Sequence, residues 1–350
     1  MTRKILVIRR DNIGDLVLTT PLFAALRERL PDAQIDVLTN SYAEPVLFGN
    51  PDVDNVYVYT KAHHRGEGVS RLRVYLQRFR VTRELRRERY DAILLARSLA
   101  IPRLVARARR IGASEIVGVL APGDHLARKL THAIAWDPSP DVHEVVRSFR
   151  TAEHFGIAGP PGPLRLFPQE AEVREARERL APVLGLGKRL VAVNLSSRKV
   201  RQRWPAESFA RFMRELAARE GVAFMLVWSP GDAANPRHPG DDAKAREVMA
   251  RLEGVPCAAY ATAELRQLIA GLSLASAIVT SDGGAMHLGA GVGLPVLAFF
   301  GNSSVASWRP WGVPHEVLQP ASRTVADITV DAALAAWDRL SARTGARAAA

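Results

Sequence analysis

Short β-branched apolar runs recur along this chain, each followed by a helix-length segment, and the series begins twice. Lys4–Arg9, Gln34–Thr39, Val56–Tyr59 and Ala92–Ala96 read as strands of the first series, with Ile116–Val119 as a further one. Strands that alternate with helices predict a parallel sheet covered on both faces. Leu16–Leu30 is the first helix, with Leu18, Leu22, Ala25, Leu26 and Leu30 at helical spacing, and Val81–Arg89 is helical and basic. Gly159-Pro160-Pro161-Gly162-Pro163, inside 156–168, then predicts a stiff connector. After it the alternation restarts. Leu190–Leu195, Ala223–Trp228, Ala277–Thr280 and Pro295–Phe300 are strands; Glu170–Leu184, Ala206–Arg219, Ala243–Arg251 and Leu265–Leu274 are helices. The chain is expected to form two α/β domains, residues 1–158 and 159–325, with a cleft between them. A C-terminal helix within 326–345, centred on Asp331–Ser341, is long enough to pack back on the first domain. The Ala-rich tail after Thr344 is expected to fray.

Composition narrows the function classes. One cysteine, Cys257, excludes an internal disulfide framework and suits a reducing compartment. The opening apolar run is too short for a signal peptide, and no charge-free stretch reaches the ~20 residues that span a bilayer. A cytoplasmic protein is expected. The net charge is +12, and Lys61–Arg110 alone holds fifteen Lys/Arg against four Asp/Glu. Such a patch attracts phosphates of nucleic acid, anionic lipid or an acidic glycan. Its bland alternative is a solvated helix face in an arginine-favouring composition, since six of the 48 basic residues are lysine. No RNA-binding aromatic motif or finger spacing accompanies it, so nucleic acid is not expected as a partner. Peripheral contact with the inner leaflet of a membrane is an expectation from the same patch.

Four constellations can carry chemistry. In Ile278–Gly291 a strand stops at Asp282, and Gly283-Gly284 open a helix whose first turn has free N–H groups and a positive dipole end. Phosphate is the usual ligand of such a place, and Asp282 stands where open α/β sheets bind substrates. His287, one turn in, is either a satisfied structural histidine or a donor to that anion. Arg9-Arg10-Asp11-Asn12-Ile13-Gly14-Asp15 follows the first strand, and Asp15 is either a helix cap or a general base. This turn lacks G-x-G-x-x-G, which argues against a dinucleotide-dependent oxidoreductase. Ser196-Ser197-Arg198-Lys199-Val200-Arg201-Gln202-Arg203-Trp204-Pro205 is a basic loop whose cations can neutralise a leaving diphosphate, or a plain solvent loop. Trp204-Pro205 reads as packing for the next helix. Around Ser229 and Asp241-Asp242, spare carboxylates suit ribose hydroxyls or a helix cap. No D-x-D cluster stands out, so no metal ion and no cofactor is expected.

Five features then coincide in order. They are Ile13-Gly14-Asp15 with Thr20-Pro21, Pro31-Asp32-Ala33-Gln34-Ile35-Asp36, Arg203-Trp204-Pro205, Asp282-Gly283-Gly284-Ala285-Met286-His287-Leu288, and Pro295 followed by Phe300-Gly301. Together they make the chain resemble glycosyltransferase family 9, the heptosyltransferases of lipopolysaccharide core assembly. The resemblance implies a GT-B fold, two Rossmann-like domains across a cleft, and an inverting transfer from a nucleotide sugar, typically ADP-heptose. It implies Asp15 as the base that deprotonates the acceptor. Asp282, Gly283, Gly284, Ala285, Met286 and His287 would hold the donor's diphosphate and sugar, helped by Ser196, Arg201 and Arg203. Ser229 and Asp242 would meet the nucleoside, and Arg10, Asn12 and Gly14 an anionic glycolipid acceptor on the first domain. Two departures stand out. The family often has Lys where this chain has Gln202, so that Arg201, Arg203 or Lys199 must supply the cation, and Thr or Ser where it has Gly283. A non-catalytic sugar-nucleotide or glycan-binding member of the fold is the alternative.

Overall fold

Residues 2–59, 71–235 and 240–348 are described in the structure, a computed structural model. The chain divides into two units, Met1–Phe167 and Pro168–Ala350. The division falls at 167 and not at the 158 expected from composition, because the last stretch of the connector is bound to the first unit. Leu164 and Leu166 are buried. The Arg165 N–H donates to Thr20 Oγ1 at 3.0 Å, and its guanidinium pairs with buried Asp52 at 3.0 Å.

In the first unit, β1 (Lys4–Ile8), β2 (Gln34–Asn40), β3 (Asn55–Tyr59), β4 (Ala92–Leu95), β5 (Glu115–Leu120) and β6 (His132–Ala135) form one sheet. Its order is β3-β2-β1-β4-β5-β6, and all pairings are parallel. Ile5, Leu6, Val7 and Ile8 are all inaccessible to solvent, so both faces of β1 are covered, as a run without polar alternation demands. The helices are α1 (Ile13–Val17), α2 (Thr20–Arg29), α3 (Arg71–Arg87), α4 (Pro102–Ile111) and α5 (Glu144–Phe149).

The single helix expected over 16–30 is two helices. Pro21 has no N–H to give the Val17 carbonyl, and the Thr20 hydroxyl bonds that carbonyl instead at 2.8 Å. The ladder breaks there, and α2 restarts with proline in its first turn, where a missing N–H costs nothing. The basic helix expected over 81–89 is α3, longer toward its amino end. Residues 60–70 of the basic stretch lie outside the described residues.

The second unit repeats the plan. Its strands are β7 (Leu190–Asn194), β8 (Ala223–Trp228), β9 (Cys257–Ala261), β10 (Ala277–Ser281), β11 (Val296–Phe299) and β12 (His315–Leu318). They run parallel in the order β12-β11-β10-β7-β8-β9, which is the first sheet's order counted from β7. The helices are α6 (Glu170–Leu184), α7 (Ala206–Glu220), α8 (Asp242–Ala250), α9 (Leu265–Leu272), α10 (Gly284–Gly291), α11 (Val305–Trp308) and α12 (Val330–Ala348). Each sheet therefore reverses its winding at one place, between β1 and β4 and between β7 and β10. The carboxyl ends of strands at such a reversal are where open α/β sheets bind ligands.

Trp204 is buried at the heart of the second core. Its ring lies 4.7 Å from Phe299 and 4.9 Å from Phe209, and its indole N–H donates to the Ile328 carbonyl. It packs the start of α7, as the sequence suggests. The last helix contributes to the core of the second unit. Ala333, Leu334, Ala336, Trp337 and Leu340 of α12 belong to the second unit's core, and the Trp337 indole donates to Glu220 at 2.7 Å. Its helix runs on to Ala348, into the Ala-rich tail. Among the described residues no helix is long and apolar enough to cross a membrane.

Candidate functional site

Each unit places a polar cluster at its own reversal point. In the first, the chain leaves β1 and turns at once into α1. The turn is pinned from β2, whose buried Asn40 donates to the Arg10 and Asp11 carbonyls at 3.3 and 2.9 Å. Arg9, 2% exposed, sits beneath it. Its guanidinium donates to Asp15 Oδ1 at 2.9 Å and Glu144 Oε1 at 3.1 Å, lies 3.4 Å from Asp11 Oδ2, and also bonds the Ala96 carbonyl. Burial alone would lower its pKa; Asp15, Glu144 and Asp11 outweigh burial and raise it. Arg97 ties Asp11 from the far side.

Asp15 takes the capping role, one of the two that the sequence leaves open to it. Its Oδ2 accepts from the Asn12 N–H at 2.9 Å and the Asn12 amide at 3.1 Å, closing a capping box at the start of α1. Oδ1 faces Arg9, and the side chain keeps 13% of its surface open. An anchored, partly open carboxylate at the carboxyl edge of the sheet can take a proton from a hydroxyl brought to it. Asn12 is exposed and Gly14 half-buried. Arg10 stacks on the Tyr59 ring at 4.2 Å, which holds it to the end of β3. Arg97, Glu144 and Asn40 are parts of this cluster that the sequence did not disclose.

In the second unit, α10 begins directly beyond β10. Gly289 lets it sit tightly on that strand, since a Cβ there would lie 2.7 Å from Ile278 Cγ2. At Gly283, in contrast, a Cβ would meet nothing closer than the Ser281 carbonyl at 3.9 Å, so the approach to the helix end is open. The N–H groups of Gly284, Ala285 and Met286 have no partner within the helix and point toward that opening. Met286 can offer only its N–H there, because its side chain is wholly buried, and His287 is buried as well, 3% exposed. The imidazole ring lies 6.4 Å from that of Trp308.

The basic loop after β7 meets this turn through Gln202. Its amide donates to Asp282 Oδ2 at 2.6 Å and to Ser303 Oγ at 2.8 Å, the latter from the loop after β11. The loop fits closely, since a Cβ on Gly301 would strike the Arg201 carbonyl at 2.5 Å. Three strand ends, β7, β10 and β11, are thus joined by one buried amide. Arg203 is half-buried and donates to the Ser197 carbonyl at 2.9 Å, while the Arg201 side chain is exposed. Ser196 accepts from the Ser229 N–H at 2.9 Å, which links the β7 loop to the β8 loop. Asp242 is not a helix cap as the sequence suggests. Its oxygens accept from the Trp228 indole at 2.7 Å and the Gly231 N–H at 3.0 Å, and those two bonds hold its pKa below the usual carboxylate value. It clamps the 229–241 loop. Asp241 takes the cap position without a side-chain capping bond.

Lys244 is the cation that the sequence reading passed over. Its ammonium donates to the Leu195 carbonyl at 3.1 Å and lies 4.9 Å from the Phe209 ring. Burial pushes its pKa down to about 8, with Arg203 acting in the same direction. Below pH 8 this lysine is charged in both the folded and unfolded states, and its burial burdens the fold. Between about 8 and the ordinary 10.5 only the unfolded chain holds the proton, so stability climbs with pH across that window. Urea melts at pH 7 to 10 are expected to show that climb, and Lys244→Met to flatten it. A parallel climb in the variant would refute the assignment. Among the described residues no group of three or more His, Cys, Asp or Glu side chains is placed to hold a metal ion.

These two clusters can be set beside known proteins. The model of a family described as "Glycosyltransferase family 9 (heptosyltransferase)" matches residues 78–328. Lipopolysaccharide heptosyltransferase 3 of Escherichia coli (strain K12) is 25% identical over 302 residues, covering 85% of this chain and 82% of the relative. The crystal structure of a family 9 glycosyl transferase from Veillonella parvula DSM 2008 superposes with a TM-score of 0.81 at 20% identity, covering 97% of both chains. E. coli ADP-heptose LPS heptosyltransferase II superposes at 0.76 and 20% identity, covering 98% of this chain and 99% of the other. The fold of two six-stranded Rossmann-like units is shared with these GT-B enzymes.

Proposed function

Because the chain belongs to glycosyltransferase family 9, we propose that this glycosyltransferase moves a heptose from ADP-heptose to a hydroxyl of a lipopolysaccharide-core acceptor, with inversion. The observation that carries the reading is the Gln202–Asp282–Ser303 junction in front of the open end of α10. The donor's diphosphate takes the free N–H groups of Gly284, Ala285 and Met286, and Arg203 and Lys244 add positive charge nearby. Arg203, and not Gln202, provides the cation; Gln202 holds Asp282 as a neutral donor, leaving a carboxylate oriented toward sugar hydroxyls. In the first unit Asp15 is the base. As the acceptor oxygen bonds to the anomeric carbon, its proton passes to Asp15, and the glycosyl–oxygen bond breaks with its electron pair leaving on the diphosphate. One displacement inverts the centre. No step requires a divalent ion, so EDTA should leave the rate unchanged.

A melting screen with ADP-heptose and with UDP-, GDP- and dTDP-sugars tests the donor. At a hundredfold excess over Kd, a ligand of the native state adds about 2.7 kcal/mol. For a unit of this size that is a rise of roughly 5–10 °C. ADP-heptose alone is expected to give it. A rise with another nucleotide sugar in its place ends the heptose assignment. Binding without ADP release in the presence of deacylated core oligosaccharide would favour a non-catalytic sugar-nucleotide binder.

A further inference from the structure

The first unit carries a second cationic feature, which meets the Asp15 turn at one end, where Arg107 and Arg10 share the Tyr59 ring, and extends away from it. Helices α3 and α4 pack side by side and leave a groove of about 1000 Å³ lined by guanidinium groups. α3 ends just before β4 begins and α4 just before β5 begins, so the Arg87 and Arg110 end of the groove lies at the amino ends of the strands. The Asp15 turn follows the carboxyl end of β1, at the opposite edge of the sheet.

The arginines here are not compensated in the way that surface arginines elsewhere in the chain are. Among the described residues Arg83, Arg86, Arg87, Arg109 and Arg110 join no ion pair with a carboxylate, and α3 and α4 together contain one acid, Glu84. Deeper in, Arg107 lies over the Tyr59 ring with Arg10 and Arg78. Its Nη1 is buried without a hydrogen-bond partner. Burial first, then Arg10, Arg78 and Arg110, push its pKa down to about 10, with Tyr59 acting in the opposite direction. Helix dipoles account for cations in the last turn of α3 and α4. They do not account for Arg83, nor for the apolar side chains beside it.

Those apolar side chains decide what the groove is for. Phe79 is 67% exposed and Leu76 50%. Positions 76, 79, 83, 86 and 87 share one face of a helix, so α3 presents leucine and phenylalanine followed by arginines along a single stripe. Water gains nothing from that arrangement, and a soluble polyanion would use the arginines only. A bilayer with acidic headgroups uses both: the guanidinium groups meet phosphates while the two apolar side chains enter the acyl boundary. We propose that the α3–α4 face, with Leu76 and Phe79 beside the arginine groove, docks the protein on an anionic lipid bilayer. The proposal stands apart from the transferase reading and needs neither donor nor acceptor for its test.

Co-sedimentation with phosphatidylcholine vesicles, with and without about one third phosphatidylglycerol, is the experiment. The full chain is expected to pellet with the anionic vesicles only, less so as salt rises and screening shortens the reach of the charges. Each arginine near such a surface is worth about fivefold in partitioning, so Arg87→Ser/Arg110→Ser should lower it about 30-fold. Phe79→Ser should weaken binding by a factor that salt does not change. These side chains are solvent-exposed, and melting curves within a degree of the parent establish that the variants fold. Equal partitioning to neutral vesicles overturns the proposal, as does an Arg87→Ser/Arg110→Ser variant that binds like the parent. Binding of soluble polyphosphate with none to vesicles overturns it too, and identifies the groove as a site for a dissolved polyanion.

Discussion

Asp15→Asn is expected to lower kcat by about 10²–10⁴-fold, with the donor's Kd unchanged, because it removes the proton acceptor and leaves the donor groups of the second unit as they are. The substitution is conservative in shape. Asparagine keeps one carbonyl oxygen where Asp15 accepts from the Asn12 N–H, so the box at the start of α1 is largely preserved. It loses one of the three carboxylates around Arg9, and Glu144 and Asp11 remain. That geometry separates two roles which the sequence cannot. If Asp15 only caps the helix, its loss costs about 0.5–2 kcal/mol of stability, and turnover per folded molecule is untouched. If it is the base, the melting curve moves little and kcat collapses. Measuring ADP release at saturating donor beside a melting curve tells the two apart. A variant that turns over at the parental rate would remove Asp15 from the chemistry.

The two halves of the fold are legible wherever the chain speaks locally. Glu170–Leu184 and Ala223–Trp228 were readable to the residue, since one has helical spacing between clear ends and the other is a bare apolar run. The strands that escaped are short or mixed. β6 is His-Ala-Ile-Ala at the sheet edge with little burial, β9 is alanine-rich, and β12 is His-Glu-Val-Leu. None alternates or carries a β-branched run, and only pairing with a neighbour makes them strands. The α1–α2 break was hidden because Leu18, Leu22 and Leu26 keep helical spacing across it. The sites divide in the same way. Asp282 and the paired glycines declare a strand-to-helix turn in consecutive letters. The bond from Gln202 to Asp282 spans 80 residues, and that from Arg9 to Glu144 spans 135, so neither could be read from spacing. The burial of Lys244 beside Phe209, which shifts its pKa down, is likewise a matter of packing and not of spacing.

Arg9 is the long-range partner with the largest consequence for stability. Arg9→Met is expected to destabilise the first unit by about 3–5 kcal/mol, the usual cost of leaving the other half of a buried ion pair without compensation. Methionine fills much of the space, so a cavity is not the main term. What remains is Glu144, itself 6% exposed, facing Asp15 and Asp11 with no cation between them. The sign with pH follows from the direction of the shift. The pKa of Arg9 is raised from that of a free guanidinium, so its contribution is complete at any working pH and disappears only in strong alkali. The deficit of Arg9→Met should therefore not arise from titration of Arg9 at working pH. Adding Glu144→Gln to Arg9→Met should recover part of the loss, because the orphaned charge goes with it, and the double-mutant cycle isolates that coupling. Amide exchange in β1 and β4 reports this unit without interference from the five tryptophans of the other. Exchange within 1 kcal/mol of the parent in Arg9→Met, or strict additivity in the cycle, would show that the guanidinium does not hold the three carboxylates in place. The Asp15 turn would then owe its geometry to Asn40 and the capping box alone.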